Sequence, residues 1–235
     1  MAESGSPIGR RVFLGLVGAG AVGVLFGAKI QDALSRAFSP IVSKDGTGLS
    51  AFLPLQGFRY YSITGDFPKR APRDWQMTVK GLVDRPYTVN FAQLTSMPST
   101  TLTKDFQCVT GWRVPKVEWR GVLLRDLLDK AGVKPAGKAL RFTSFDGAYT
   151  ESLTLDQARR DDVIIAYELE HKPISSDHGG PVRLYIAPMY GYKSCKWLDG
   201  IEVTDRVIPG YWEDNGYDVD GWVGRSNGRD DEPTS

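Results

Sequence analysis

Cysteine and histidine are scarce, with only two of each in 235 residues. No Cys-x-x-Cys or Cys-x-x-Cys-His occurs, so a zinc ribbon, a c-type haem and a cysteine-held iron–sulfur cluster have no sequence basis. An excess of one charge is also missing. The 29 basic and 28 acidic residues leave a net charge of +1, without the basic surplus of a nucleic-acid binder. No Gly-x-Gly-x-x-Gly follows a strand and no Gly-x-x-x-x-Gly-Lys-Ser/Thr is present, so neither a dinucleotide fold nor a Walker loop is supported. There is no internal repeat. What is plentiful is Gly, at 26, and Pro, at 14, which point to a loop- and strand-rich fold rather than a helix bundle. With 41% hydrophobic and 24% charged residues, the chain has the composition and length for one domain with its own core.

The first stretch reads differently from the rest. Arg10 and Arg11 precede about seventeen uncharged residues, from Val12 to Ala28, short for a spanning helix of roughly 20 residues. A basic start followed by a mildly apolar centre is the pattern of an export signal. Arg10-Arg11-Val12-Phe13-Leu14 resembles the twin-arginine export motif, with Gly9 and Gly15 as departures from it. The expected organisation is an export signal or a retained membrane anchor over 1–40, with 12–28 as its apolar part. A linker follows over 41–50, then the folded domain over 51–223, then a polar, poorly ordered tail over 224–235. The expected location is periplasmic or otherwise extracytoplasmic.

Within the domain, Trp75–Val79 and Tyr87–Val89 read as strands around a turn. Leu124, Leu127, Leu128 and Ala131 share one face of a helix over 123–131, with Gly132 as its terminator. Thr154-Leu-Asp-Gln157 has capping-box spacing and predicts a short helix over Leu155–Arg160. Val163–Tyr167 and Lys172–Ile174 suggest a hairpin. Val182, Leu184 and Ile186 alternate with Arg183, Tyr185 and Ala187, which predicts a half-buried strand, and Trp197–Val203 predicts another. Short strands with interspersed short helices make a mixed, strand-rich α+β domain.

Three stretches carry chemistry. In Phe106-Gln107-Cys108-Val109-Thr110-Gly111-Trp112-Arg113, nearby cations favour the Cys108 thiolate, a ligand suited to soft metal centres. A lone cysteine also serves as a small buried hydrophobe. The run from His178 through Arg183 to Tyr190-Gly191-Tyr192-Lys193-Ser194-Cys195-Lys196-Trp197 gathers Arg, two Lys, Ser and backbone amides, a set that suits a phosphate. A strand–turn–strand with solvated lysines is the plainer alternative. Gly210-Tyr211-Trp212-Glu213-Asp214-Asn215-Gly216-Tyr217 interleaves aromatics and acids, either as a pocket wall or as a satellite of the core.

Together with Glu118-Trp-Arg-Gly-Val122 and Tyr149-Thr-Glu-Ser152, these motifs, in this order, resemble the catalytic domain of the sulfite oxidase family. The likeness is to its compact bacterial branch, which includes the protein-methionine-sulfoxide reductase catalytic subunit. The resemblance covers roughly Phe52 to Gly221. It implies a molybdopterin-binding fold, a molybdenum–molybdopterin cofactor and Cys108 as the protein ligand to the metal. It further implies that His178 and Arg183 contact the pterin or its phosphate, and that Ser194, Cys195 and Lys196 wrap the cofactor with Lys193 just before them. Tyr60 and Tyr61 match an N-terminal contact, and Thr143 or Ser144 matches one near the metal. Arg113 matches an active-site arginine of true sulfite oxidases, and Tyr217 and Trp212 match pocket aromatics. The expected reaction is oxygen-atom transfer on a small S-oxide or sulfite-like substrate, with electrons exchanged with a separate partner such as a membrane protein, and no nucleic acid involved. The chain is too short for the immunoglobulin-like dimerisation domain of sulfite oxidases, so a monomer is expected. The alternatives are a degenerate exported binding module without metal, and a nucleophilic pair of Cys108 with His171 or His178. The first is disfavoured by Cys108, Arg183 and Lys196 together, the second by the absence of a protease signature.

Overall fold

The computed structural model describes residues 57–234. The expected export segment over 1–40, the linker over 41–50 and the start of the domain at 51 lie outside the described residues. Two five-stranded sheets organise the chain. In the first, β1 (Gln76–Gly81), β2 (Tyr87–Asn90), β5 (Ala139–Ser144), β6 (Thr150–Thr154) and β10 (Leu198–Thr204) run in the order β2-β1-β10-β5-β6. Its strands are antiparallel except for β1 and β10, which pair in parallel. In the second, β3 (Thr100–Gln107), β4 (Arg113–Leu123), β7 (Val163–Leu169) and β8 (Lys172–Pro173) follow one another, and β9 (Arg183–Ile186) also pairs with β7. This is the mixed, sheet-rich architecture that the pattern of short strands predicts. Gly57–Val109 and Arg113 onward form one compact unit.

Local sequence explains the elements. In β1, Met77 and Val79 point into the core while their neighbours stay in solvent, the two-residue period of a one-faced strand. Strand β7 is instead buried nearly throughout, as its unbroken Val-Ile-Ile-Ala run requires, because β4 and β9 flank it. Four short helices follow the same logic. Helix α1 (Phe91–Thr95) is closed by a reciprocal Asn90–Gln93 capping box. Helix α2 (Leu124–Ala131) buries Leu124, Leu127, Leu128 and Ala131 and stops at Gly132, whose φ of 70° a side chain would resist. Helix α3 (Leu155–Ala158) has the predicted Thr154–Gln157 box but ends two residues early, at Ala158. Helix α4 (Tyr211–Asp214) is held by Glu213 Oε2, which accepts from the Gly210 amide. Among the described residues no helix is long and apolar enough to cross a membrane.

Two expectations change. Strand β9 is buried on both faces rather than one. Leu184 and Ile186 face the main core, and the opposite face is covered by Trp119, which stacks on Tyr185 at 4.8 Å and lies 5.2 Å from the Arg183 guanidinium. The segment from Gly224 is polar but held in place. Tyr190 donates to Asp231 at 2.8 Å, Thr234 donates to the Ala187 carbonyl at 2.8 Å, and Arg113 donates to the Glu232 carbonyl. Its side chains reach partners on the body that composition does not reveal.

Lys193 is fully buried between two carboxyl groups, in contact with Glu151 and 2.6 Å from Glu213. Burial pushes the Glu151 carboxyl well above its ordinary range, against the pull of Lys193. For Glu213 burial acts in the same direction, but a hydrogen bond with Glu151 and the Lys193 charge outweigh it and hold that carboxyl low. Lys193→Met should therefore destabilise the fold by roughly 3–5 kcal/mol in urea unfolding, because it strands two buried carboxyls. Adding Glu151→Gln and Glu213→Gln to it should recover most of that loss.

Candidate cofactor site

Strand β3 ends at Gln107, so Cys108 is the first residue past the ladder, and it is half-buried. Cys108 is near enough to influence both the Lys196 amine and the Tyr217 phenol. Neither Cys108 nor Cys195 is disulfide-bonded. Tyr217 stacks on Trp212 at 5.0 Å and meets Tyr192 edge-on at 5.2 Å, so α4 and the turn after it form an aromatic wall. Burial, and then Cys108, raise the Tyr217 phenol and keep it protonated.

Arg183 opens β9 with its guanidinium buried. It donates to the carbonyls of His178 at 2.6 Å, Ser194 at 2.8 Å and Leu184 at 3.3 Å. Burial lowers its pKa to about 10. Lys196 donates to the carbonyls of Tyr61 at 2.9 Å and Asp177 at 3.1 Å, and its ammonium lies over the Trp197 and Phe67 rings at 5.1 and 5.8 Å. Burial first, then the Arg183 charge, bring its pKa down to about 7. Among the described residues neither cation forms a salt bridge to a carboxylate. Two clustered cations satisfied only by carbonyls leave positive charge for an anion to neutralise.

The neighbouring loop is shaped for close approach. Gly179 has φ of 93°, and a Cβ there would lie 2.6 Å from Lys196 Cβ and Cγ, so only glycine lets the His178 loop close over the lysine. The His178 ring is edge-on to Phe58 at 4.8 Å and Tyr60 at 4.9 Å, and its Nδ1 is 2.9 Å from Ser175 Oγ. Burial and then Arg183 lower its pKa and favour the neutral ring.

The structure thus brings together Cys108, Tyr217, His178, Arg183, Lys196, Tyr60 and Tyr61. Ser194 and Cys195 belong to the same loop, but the Ser194 hydroxyl accepts from the Ile186 amide at 3.1 Å and the Cys195 thiol is packed in the core. Thr143 donates to Asp199 at 3.1 Å and Ser144 accepts from the Asp146 amide at 3.2 Å. Lys193, expected at the cofactor, is instead enclosed by its two glutamates because it points to the opposite side of the Gly191–Lys193 turn. Arg113, expected at the substrate, is committed to Gln107, Asp105 and the Glu232 carbonyl. Sequence reasoning missed Gln107, although it stands next to the chosen cysteine, and Phe58, for which there was no signal.

The chain is similar to known proteins. The family described as "Oxidoreductase molybdopterin binding domain" matches residues 64–212. The chain is 36% identical over 159 residues to the uncharacterized oxidoreductase YuiH of Bacillus subtilis, covering 67% of this chain and 80% of that protein. It is 28% identical over 156 residues to the protein-methionine-sulfoxide reductase catalytic subunit MsrP of Ralstonia nicotianae, covering 60% of this chain but only 47% of the reductase. The sulfane dehydrogenase SoxCD of Paracoccus pantotrophus has a similar structure, with TM-score 0.55 and 25% identity over 60% of this chain and 41% of the other.

Sulfate is a probe of the anion site, since its own charge is constant near neutrality. Lys196 must be protonated to hold it, and its folded pKa of about 7 lies below the ordinary lysine value of 10.5. Below about pH 7 this group is already charged and adds no pH dependence. As pH rises above that, sulfate affinity should fall by up to about tenfold per unit, because binding must then take up a proton. Calorimetric titration should show this decline in the native chain and its loss in Lys196→Met.

Proposed function

Because the chain belongs to the oxidoreductase molybdopterin-binding domain family, we propose that it moves an oxygen atom to or from a small S-oxide or sulfite-like molecule at a molybdenum–molybdopterin group held by Cys108. The observation that carries this reading is Lys196, a partly buried amine that feels both the Cys108 thiol and the Arg183 guanidinium and forms no salt bridge among the described residues. The residues fit such a group. A thiolate suits a soft metal, and the cations and the Gly179 loop suit its phosphate. Among the described residues no cluster of three His, Cys, Asp or Glu side chains is built to hold a metal alone, so further ligands must come from the cofactor.

When bound, the group supplies two-electron exchange coupled to oxygen transfer. The protein's part is binding, orientation and charge. Arg183 fixes the His178 and Ser194 backbones on either side of the anion site. Lys196, with Tyr61 and Asp177 as its carbonyl partners, ties the N-terminal stretch to the same site. The Tyr217 hydroxyl, raised in pKa and without a hydrogen bond among the described residues, is placed to donate to a polar substrate oxygen. Trp212 and Tyr217 give that substrate an aromatic wall. Thr143 and Ser144, at the C-terminal end of β5, are the further polar contacts in this reading. The reductase and the dehydrogenase among its relatives run in opposite redox directions by name, so the reading covers both. Electrons pass to or from a separate protein, a proposal supported by the lack of any haem or iron–sulfur motif in the sequence.

Cys108→Ser should remain folded, lose nearly all molybdenum and have negligible oxidoreductase activity, because a hydroxyl replaces a soft thiolate poorly. Unchanged metal content and turnover would remove Cys108 from the metal. We also propose export in the folded state, supported by the Arg10-Arg11 pair ahead of an uncharged run. Changing both to Lys keeps the charge but removes the guanidinium fork, and should trap metal-loaded protein in the cytoplasm on fractionation. Equal export of the double-Lys variant would refute that signal.

A further inference from the structure

We propose that Arg113 is a positioning residue: it orients the Gln107 amide, which holds the Cys108 backbone, and the C-terminal segment 229–232 locks the arginine in place. Arg113 and Gln107 face each other across the β3–β4 pair. Arg113 Nε donates to Gln107 Oε1 at 2.6 Å, and Gln107 Nε2 donates to the Cys108 carbonyl at 3.0 Å. Chemistry dictates this order. A guanidinium has no acceptor, so it takes only the oxygen end of the amide and turns the NH2 end toward the carbonyl. Gln107 is 3% exposed, which leaves its amide little freedom to flip.

The arginine is fixed in turn. Its Nη1 donates to Asp105 Oδ2 at 3.2 Å, and Asp105 Oδ1 accepts from the Lys116 amide at 3.0 Å. Its Nη2 donates to the Glu232 carbonyl. That carbonyl is held because Asp231, next to it, accepts from Tyr190 at 2.8 Å and from Arg229 at 2.7 Å. Each of the three guanidinium nitrogens therefore already donates within the protein. These bonds set the plane and orientation of the guanidinium. The relay from Glu232 through Arg113 and Gln107 ends on the residue whose placement governs the site.

The inference rests on Cys108 as the working thiol, and its test reads the thiol without the metal. The full-length chain, purified without molybdenum, is treated with iodoacetamide and alkylation of Cys108 is followed by mass spectrometry. Fully buried Cys195 serves as an internal reference. Gln107→Glu keeps an acceptor for Arg113 but sets an oxygen against the Cys108 carbonyl, and Gln107→Met removes both contacts. Both should raise the Cys108 rate by up to about tenfold, the effect of one net hydrogen bond on local opening. If Gln107 only fills space or anchors Arg113, Gln107→Glu would react at the native rate, and that result overturns the proposal. Arg113→Lys, which still offers a donor to Gln107, should stay closer to the native rate than Arg113→Met. Equal rates for these two would also overturn it, and this pair decides if Gln107→Glu fails to fold. Failure here leaves Cys108 as the metal ligand, whereas metal retained in Cys108→Ser removes that ligand and leaves the labelling result standing.

Discussion

The buried guanidinium of Arg183 is the constraint from which the site is built. It bonds the carbonyls of His178 and Ser194 at once, so the loop before β9 and the loop before β10 cannot move apart without stranding a charge. Trp119 and Phe106 close over it from the second sheet. Lys196 then adds the N-terminal stretch through Tyr61. Neither cation forms a salt bridge among the described residues, although the Asp177 charge acts on Lys196, so positive charge is left for an anion to meet. A folded state of this kind is stabilised by its ligand to the extent that the ligand binds it.

A second ionic centre works by the opposite rule. Around Lys193 the charge is answered by Glu213, with Glu151 bonded to both, and the result is structural. Glu213 also anchors the first turn of α4, so the buried pair supports the helix that carries Trp212. Two lysines three residues apart thus serve different ends, one as filling for a sealed ionic core and one as an open contact. The difference lies entirely in which side chains reach them across the fold.

That contrast marks what the sequence can and cannot disclose. The α2 face, the Thr154–Gln157 box and the alternation of β1 are local patterns, and all were legible. Cys108, His178, Arg183 and Lys196 stood out through their neighbouring cations, their glycines and the family resemblance, and His178, Arg183 and Lys196 lie close together in the fold. The fate of Lys193 and Arg113 was not legible: their partners lie at Glu151 and Glu232, 42 and 119 positions away. The full burial of β9 was hidden for the same reason, since its second face is covered by Trp119 from β4. The held segment after Gly224 was hidden too, because polarity suggests solvent until Tyr190 and Ala187 supply partners.

The parallel pairing of β1 with β10 has a consequence for how the molecule is made. Trp75, just before β1, donates its indole N–H to the Leu198 carbonyl across 123 positions, and Val79 lies beside Ile201 in the ladder. On the ribosome β1 can form a hairpin with β2 early, but its other edge stays open until β10 has emerged. Such distant closure favours slow folding, and in the interval β1 presents an unpaired edge to other chains. Since β10 directly follows the Lys196 loop, the same late event completes the first sheet and the anion site.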